Sequence, residues 1–374
     1  MSPQLPKRVI VFCLPGIGDA VQFTPALALL RRLLPAARIT AITMFRGTAD
    51  VLETNPDVDE VRHFGFFGSR PLAILRYVLA LRREGCDLSL MTFPSNRLGY
   101  NLVNRLASRR WRAAHRYQHQ TWRNAWFLNN ITVTEAGTRH NVEENLELVR
   151  AIGARFGVAI PVQKPELKLV LTGDDVAYAG RYLAAHGVGA DALLFGFHTY
   201  SSTFKNMHRK CWDKDNFVAL IRRLGAAHPR ARFLIFSGPS DEEVNQYIAG
   251  QLDARVLVIR ELNLRRALAM LKRCRVFVSN DSGLLHLGAA VGAPCVALYG
   301  PTDWRRLHPW TDRHVVVRHD LPCMPCFYFS SRPLQCVANI DYACMREISV
   351  DEVFAAVQNL IAQHDTTKVP TVQT

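Results

Sequence analysis

The 374-residue sequence contains no uninterrupted apolar run near the roughly 18 residues that a membrane-crossing helix needs. No secretory leader is expected in the first residues of the sequence. Pro6-Lys7-Arg8 and the apolar Val9-Ile10-Val11-Phe12-Cys13-Leu14 mimic its start, but Pro15, Gly16, Gly18 and Asp19 end the run early and no small-residue cleavage site follows. The segment reads instead as a buried strand, and a cytoplasmic location is the expectation. Nine cysteines without an export signal predict reduced thiols, not a disulfide framework. Acidic residues are the scarcer charge, 32 against 46 Lys and Arg, and the net +14 predicts an anionic partner. Zinc-finger spacing, an RNP-like aromatic strand and a lysine-rich tail are all lacking. No nucleic acid is therefore expected, which leaves a nucleotide, a phosphorylated lipid or an anionic membrane surface.

What is present is a long alternation of strand and helix patterns. With 49% hydrophobic and 21% charged residues the chain should fold throughout, and its length exceeds one hydrophobic core, so two domains are expected. In the first half, strands are predicted at 8–14, 38–44, 58–64 and 88–93, with helices at 20–34, 47–55, 71–84 and 141–152. In the second half, strands are predicted at 193–197, 232–236, 256–259, 276–279 and 295–299, and helices near 216–224, after Pro239, at 264–272 and at 283–291. Such alternation gives parallel sheets wrapped by helices, an α/β class. Pro161 and Pro165 favour an extended connector. The predicted division is 1–160, 161–345, and a C-terminal helix with a loose tail at 346–374, the helix at 349–363 capped by Ser349.

Three places combine a strand end with groups suited to anions. Gly16-Ile17-Gly18-Asp19 follows the first strand and opens a helix, so backbone amides and the helix terminus can face a ligand. It lacks the third glycine of a dinucleotide fingerprint and the lysine of a phosphate loop. Asp19 is either a general base for a hydroxyl group or a simple helix cap. Ser279-Asn280-Asp281-Ser282-Gly283-Leu284-Leu285-His286 runs from a strand through a polar turn into a helix, where the amides of Ser282, Gly283 and Leu284 suit a pyrophosphate. His286 is a phosphate or ribose contact or a satisfied core histidine; Asp281 orients the turn or the ligand's hydroxyls. His198-Thr199-Tyr200-Ser201-Ser202 leads to Lys205 and Lys210 and supplies hydroxyls and cations suited to phosphate or lysines of a solvated surface, while Ser237 to Glu243 supplies carboxylates for ribose or an ordinary acidic helix start.

The ordered set Gly16-Ile17-Gly18-Asp19 with Thr24-Pro25-Ala26-Leu27, Lys210-Cys211-Trp212, Asn280 to His286, and Gly300-Pro301-Thr302-Asp303 resembles glycosyltransferase family 9, the heptosyltransferases of the lipopolysaccharide inner core. The resemblance implies a GT-B fold, two Rossmann-like domains facing each other across a cleft. It implies inversion at the anomeric carbon, ADP-heptose as the usual donor, no required cofactor or metal, and a phosphorylated lipid-linked glycan acceptor. Asp19 is then the catalytic base. Thr199, Ser202, Lys205, Lys210, Asp281, Ser282, Gly283, Leu284 and His286 bind donor, with Lys205 and Lys210 competing for the phosphates. Gly16, Gly18 and, from the basic stretch 97–123, Arg105, Arg109 and Arg112 are the expected acceptor side. That stretch can equally be a solvated basic face with buried aromatics. A nucleotide-sugar epimerase or an NAD-dependent oxidoreductase is the alternative that strand, glycine turn and helix leave open. Finally, Cys323-Met324-Pro325-Cys326 with Cys336 and Cys344 could surround zinc or iron, but the loose spacing and absence of a second paired motif favour unliganded or redox-linked thiols.

Overall fold

The computed structural model describes residues 4–118, 122–160, 165–238, 240–328 and 332–366, with side chains to 363. Two compact units divide the chain, residues 1–170 and 171–374.

In the first unit the order is β1 (Arg8–Cys13), α1 (Ile17–Leu33), β2 (Arg38–Thr43), α2 (Arg46–Leu52), β3 (Glu60–His63), α3 (Pro71–Arg83), β4 (Leu88–Met91), α4 (Leu98–Ala107), β5 (Trp111–Arg116), β6 (Ile131–Thr134) and α5 (Asn141–Phe156). All strand pairs are parallel, in the order β3-β2-β1-β4-β5-β6. The order in which successive strands are added reverses between β1 and β4, and ligands of open α/β sheets bind outside the strand ends at such a switch point. The central strands are buried nearly throughout, which is why they read as continuous apolar runs. On one face Phe12, Leu14, Ile42, Met91, Val103 and Ala114 pack with Val78 and Leu81 of α3.

Helix α1 carries Pro25 in its interior, where the missing N–H leaves the Val21 carbonyl without its helical donor. The Thr24 hydroxyl takes that place, donating to Val21 O at 2.7 Å. The Thr-Pro pair is thus tolerated inside a helix without an unsatisfied carbonyl.

The second unit repeats the plan: α6 (Gly173–Ala185), β7 (Leu194–His198), α7 (Lys214–Ala227), β8 (Arg232–Phe236), α8 (Glu242–Gly250), β9 (Val256–Ile259), α9 (Leu264–Leu271), β10 (Val276–Asn280), α10 (Gly283–Ala290), β11 (Cys295–Tyr299), α11 (Trp304–Leu307), β12 (His314–Arg318), α12 (Ala343–Arg346) and α13 (Val350–Thr366). Its sheet runs β12-β11-β10-β7-β8-β9, again all parallel, with the switch point between β7 and β10. Gly196 on β7 and Gly288 on α10 both make room for Phe277, since a methyl group would stand 3.1 Å and 2.9 Å from its ring. Ser349 caps α13 through reciprocal bonds with Glu352.

Both units carry the α/β architecture of the GT-B class that the sequence predicted. Helix α1 begins three residues earlier than expected, at Ile17, because Gly16 is its N-cap. Elements α4, β5, β6, α6, α11, β12 and α12 were not read from the sequence. In β5 the run Trp111-Arg112-Ala113-Ala114-His115-Arg116 buries a histidine among polar neighbours and hides the strand signal. Helix α13 extends past 363, and the expected tail from 367 lies outside the described residues.

Candidate functional site

In the first unit the loop after β1 enters α1 at the switch point. Gly16 caps the helix in an extended conformation, and its N–H donates to Asp19 Oδ2 at 3.2 Å. The turn is braced by Thr48, whose hydroxyl donates to Pro15 O at 3.4 Å, and by Gly47, where a Cβ would stand only 2.9 Å from Ile17. A Cβ on Gly16 would meet nothing nearer than Asp19 Oδ2 at 3.8 Å, so the chain's own packing does not demand glycine there. The Asp19 carboxylate caps the helix and stays partly exposed at the strand-end edge of the sheet.

The arginines expected on the acceptor side do not gather there. Arg112 pairs in register with Ser89, which pairs with Ile10, so it sits about 13 Å back along the strands from Leu14 and the Asp19 turn. Its guanidinium donates to the carbonyls of Leu128, Ser108 and Arg109, a framework role. Arg105 ends α4 and Arg109 precedes β5, both exposed and both at the opposite edge of the sheet from Asp19. They crowd Arg82, whose pKa is lowered by partial desolvation and then by Arg109 and Arg105. The groups that the fold does bring to the strand-end edge are Arg97 and Tyr100, missed by the sequence reading. Arg97 caps α4 directly after β4 and lies over the rings of Phe67 and Tyr100, at 5.2 and 5.8 Å. The Tyr100 hydroxyl is raised by burial and feels both Arg97 and Asp19. Their signal was legible only as position: the first helical turn after the strand adjoining β1. Of the tryptophans, Trp111 packs on Phe156 and Arg155, whereas Trp122 is 71% exposed.

In the second unit three of the sequence motifs meet around one buried ion pair. Lys210 Nζ donates to Asp281 Oδ2 at 2.5 Å, and the Thr302 hydroxyl donates to the same oxygen at 2.8 Å. Trp212 N–H donates to Asn280 Oδ1 at 2.9 Å, fixing the segment after Lys210 against the end of β10. Burial alone would raise the Asp281 carboxyl, but Lys210, its hydrogen bond, His286 and Thr302 outweigh that and hold it below the ordinary carboxylate range. His286, beside it, is buried and neutral, with its pKa pushed down to about 4 chiefly by desolvation.

Ser282 caps α10, accepting from Leu285 N–H at 3.4 Å and lying 2.9 Å from His198 Nδ1. The amides of Gly283 and Leu284 head the helix, where no intrahelical acceptor exists, and both residues are only part-buried. His198 ends β7 across the switch point from β10 and is also neutral, pushed by burial to about 4. Thr199 is buried and donates to Asn245 Oδ1 at 2.5 Å, so its hydroxyl is spent within the unit. Ser202 is exposed and accepts from Phe204 N–H at 3.1 Å. Lys205 is half-buried with left-handed backbone at φ 55°, its ammonium 5.5 Å from the Phe204 ring. The carboxylates after β8 are engaged locally: Asp241 accepts from Gly238 N–H at 2.5 Å, and Glu242 pairs with Arg260 at 2.7 Å. Among the described residues no three His, Cys, Asp or Glu side chains stand at the spacing of a preformed metal site.

Comparison with known proteins agrees with this arrangement. "Lipooligosaccharide heptosyltransferase 2" of Campylobacter jejuni is 28% identical over 158 residues, 41% of this chain and 47% of that protein, so the match spans about half the relative's length. "Lipopolysaccharide heptosyltransferase 3" of Escherichia coli is 22% identical over 80% of this chain and 85% of its own. Among solved structures, a family 9 glycosyltransferase from Veillonella parvula superposes with a TM-score of 0.76 at 21% identity, covering 97% of this chain and 100% of that one, which shows the shared fold. The family model for glycosyltransferase family 9 (heptosyltransferase) matches residues 80–336, from α3 through the turn after β11 and beyond, and so favours that family over the epimerase or oxidoreductase alternative. Two doubly wound sheets, with the matched stretch carrying the Lys210, Asp281 and Thr302 network, accord with that result, and the chain belongs to glycosyltransferase family 9.

Proposed function

We propose that the protein transfers a heptose or related sugar, with inversion, from a nucleotide-diphosphate sugar such as ADP-heptose to a lipopolysaccharide core or related envelope glycan. The observation that carries this reading is the buried Lys210–Asp281–Thr302 network beside the open amides at the head of α10, at a switch point where α/β sheets bind ligands. In this reading the donor diphosphate lies on the Ser282, Gly283 and Leu284 amides. An ammonium has three N–H groups, so Lys210 keeps donors beyond the one given to Asp281, and Lys205 supplies a second cation. Asp19, oriented by its bond from Gly16, accepts the proton of the acceptor hydroxyl. The freed oxygen forms a bond to the anomeric carbon as the bond from that carbon to the diphosphate oxygen breaks, and the nucleoside diphosphate leaves with the electron pair. This chemistry needs positioning and charge stabilisation from the chain and no redox partner.

The acceptor is read as a phosphorylated, lipid-linked glycan. Arg97 and Tyr100 join Gly16 and Gly18 as its contacts in place of Arg105, Arg109 and Arg112. The group Arg82, Arg105 and Arg109 is read as meeting the anionic cytoplasmic face of the inner membrane. No helix among the described residues is long and apolar enough to cross a membrane. The direct test is Asp19→Asn, assayed by transfer from ADP-heptose and by calorimetric donor binding. Turnover should fall by about two to four orders of magnitude with donor affinity retained. Near-normal turnover would refute Asp19 as base, and absence of ADP binding by the unaltered protein would refute the donor assignment.

A further inference from the structure

His198 ends β7, an interior strand of the second sheet, and is the register partner of Ser279 on β10. On its other side β7 pairs with β8. Each of those neighbouring strands runs through a loop into a helix, and the imidazole stands between the head of α10 and the head of α8. On the α10 side its Nδ1 lies 2.9 Å from Ser282 Oγ. On the α8 side its Nε2 faces Asp241 Oδ2 at 3.8 Å, the two side chains being 15% and 5% exposed. The α8 side is itself tied to β7: Thr199 donates to Asn245 Oδ1 at 2.5 Å, and Asn245 N–H donates to Asp241 O at 3.0 Å.

The proton positions follow from the donors present. Ser282 Oγ has one proton and two lone pairs, and one lone pair accepts from Leu285 N–H at 3.4 Å. Its neighbour Ser279 Oγ, at 3.3 Å, gives its own proton to Asn280 O at 2.8 Å and so can only accept. The Ser282 proton therefore goes to Ser279 or to His198. If it went to Ser279, Nδ1 would carry the imidazole proton and the Nε2 lone pair would face the Asp241 carboxylate, acceptor against acceptor. With the imidazole proton on Nε2 instead, the ring turns a donor to Asp241 and a lone pair to Ser282, along the shorter of the two serine contacts. Burial raises the Asp241 carboxyl, while Gly238 N–H, its own N–H, Asn245 and Ser237 each favour its ionised form. The ring is neutral, as this arrangement requires, its pKa pushed down to about 4 by burial.

We propose that His198 is a positioning residue for the donor diphosphate: it accepts the Ser282 proton, turns the serine lone pairs onto α10, and so keeps the Gly283 and Leu284 amides open to an anion. The inference rests on the reading of the α10 head as the diphosphate site. Without the imidazole the hydroxyl can rotate, and its oxygen then either caps a nearer amide or stands as a lone pair against the phosphate oxygens. His198 acts only through Ser282, so its removal weakens donor binding and leaves the chemical step in place.

The test is calorimetric titration of the full chain with ADP, together with steady-state kinetics in which each substrate is varied. His198→Ala should weaken ADP binding and raise the donor KM about five- to tenfold, the effect of one hydrogen bond, with kcat and the acceptor KM within about twofold. A purely structural role would move kcat and both KM values together. His198→Asn puts Oδ1 where Nδ1 stands and should return ADP affinity to within about twofold, whereas His198→Gln carries its amide one bond further out and should not. Ser282→Ala keeps the amides and removes the hydroxyl that His198 orients, so adding it to His198→Ala should cost less than the sum of the two single losses. Should His198→Ala fail to fold, the comparison of the Asn and Gln variants decides. Unchanged ADP affinity in His198→Ala, equal affinities in the Asn and Gln variants, or additive losses in the double variant would overturn this inference alone, provided that the unaltered protein binds ADP. If the unaltered protein binds no ADP, the donor reading falls and this inference falls with it.

Discussion

Replacing Lys210 with methionine keeps most of the side-chain volume and removes only the ammonium that faces Asp281. The two side chains are 11% and 6% exposed, so water screens the pair little. In the variant the Asp281 carboxylate keeps the Thr302 hydroxyl, but the cation that offsets its desolvation is gone. Removing one partner of a buried pair costs about 3–5 kcal/mol, because the other is left as an uncompensated charge. For a unit of about 200 residues that corresponds to a fall in thermal midpoint of about 6 to 20 °C.

The pH dependence separates this cause from simple loss of packing. In the unaltered protein Asp281 titrates below its ordinary value of 3.8, so its contribution is present above that value and is lost only as pH falls through the lowered pKa. In Lys210→Met the remaining dominant influence is burial, which raises the carboxyl, so the variant gains stability as pH falls from neutral. The difference between the two proteins should be largest near pH 7 and shrink towards pH 4, and Asp281→Asn added to Lys210→Met should restore part of the loss. Urea denaturation followed by circular dichroism at several pH values measures all three. A loss under about 1 kcal/mol, or one constant with pH, would show that the pair is not coupled in this way.

Further outcomes follow from the same geometry. Arg97→Ala should raise the acceptor KM roughly tenfold with the donor KM unchanged, while Arg105→Ala should leave both in place, and steady-state kinetics with each substrate varied distinguishes them. His115, His198 and His286 are each buried and pushed down to about 4, so the unfolded chain takes up protons first as pH falls. Stability from these groups is complete above about 6.5 and is lost between that pH and about 4, which acid denaturation followed by circular dichroism reads directly. Gly300→Ala should destabilise by about 1–3 kcal/mol, since its methyl group would overlap Met345 and crowd Cys344, and calorimetry of the variant measures the loss.

The strands were legible where both faces are covered. Residues 232–236, 256–259 and 295–299 were bounded as the structure has them, because a doubly covered parallel strand is apolar at every position and its ends are marked by charge or glycine. Strands β5 and β12 were missed for the opposite reason. The first mixes arginine and histidine into a strand beside the buried His115–Glu144 contact, and the second is only half-buried. Helix α1 was placed three residues late because its cap is a glycine with no side-chain signature, and Asp19 three residues on is the only polar clue.

Residue order alone therefore settled the two α/β halves, the loops that end strands and open helices, and the motif set that places the chain in its family. Those features are local, written in the apolar period and in the glycines and capping residues within a few positions of each strand end. Tertiary structure decided which distant groups meet: that Lys210 pairs with Asp281, 71 residues away, and that Arg97 and Tyr100 stand at the Asp19 edge while Arg105, Arg109 and Arg112 stand at the other. No local pattern encodes those meetings, because strand order and register, set by the packing of whole faces, determine which loop ends share an edge.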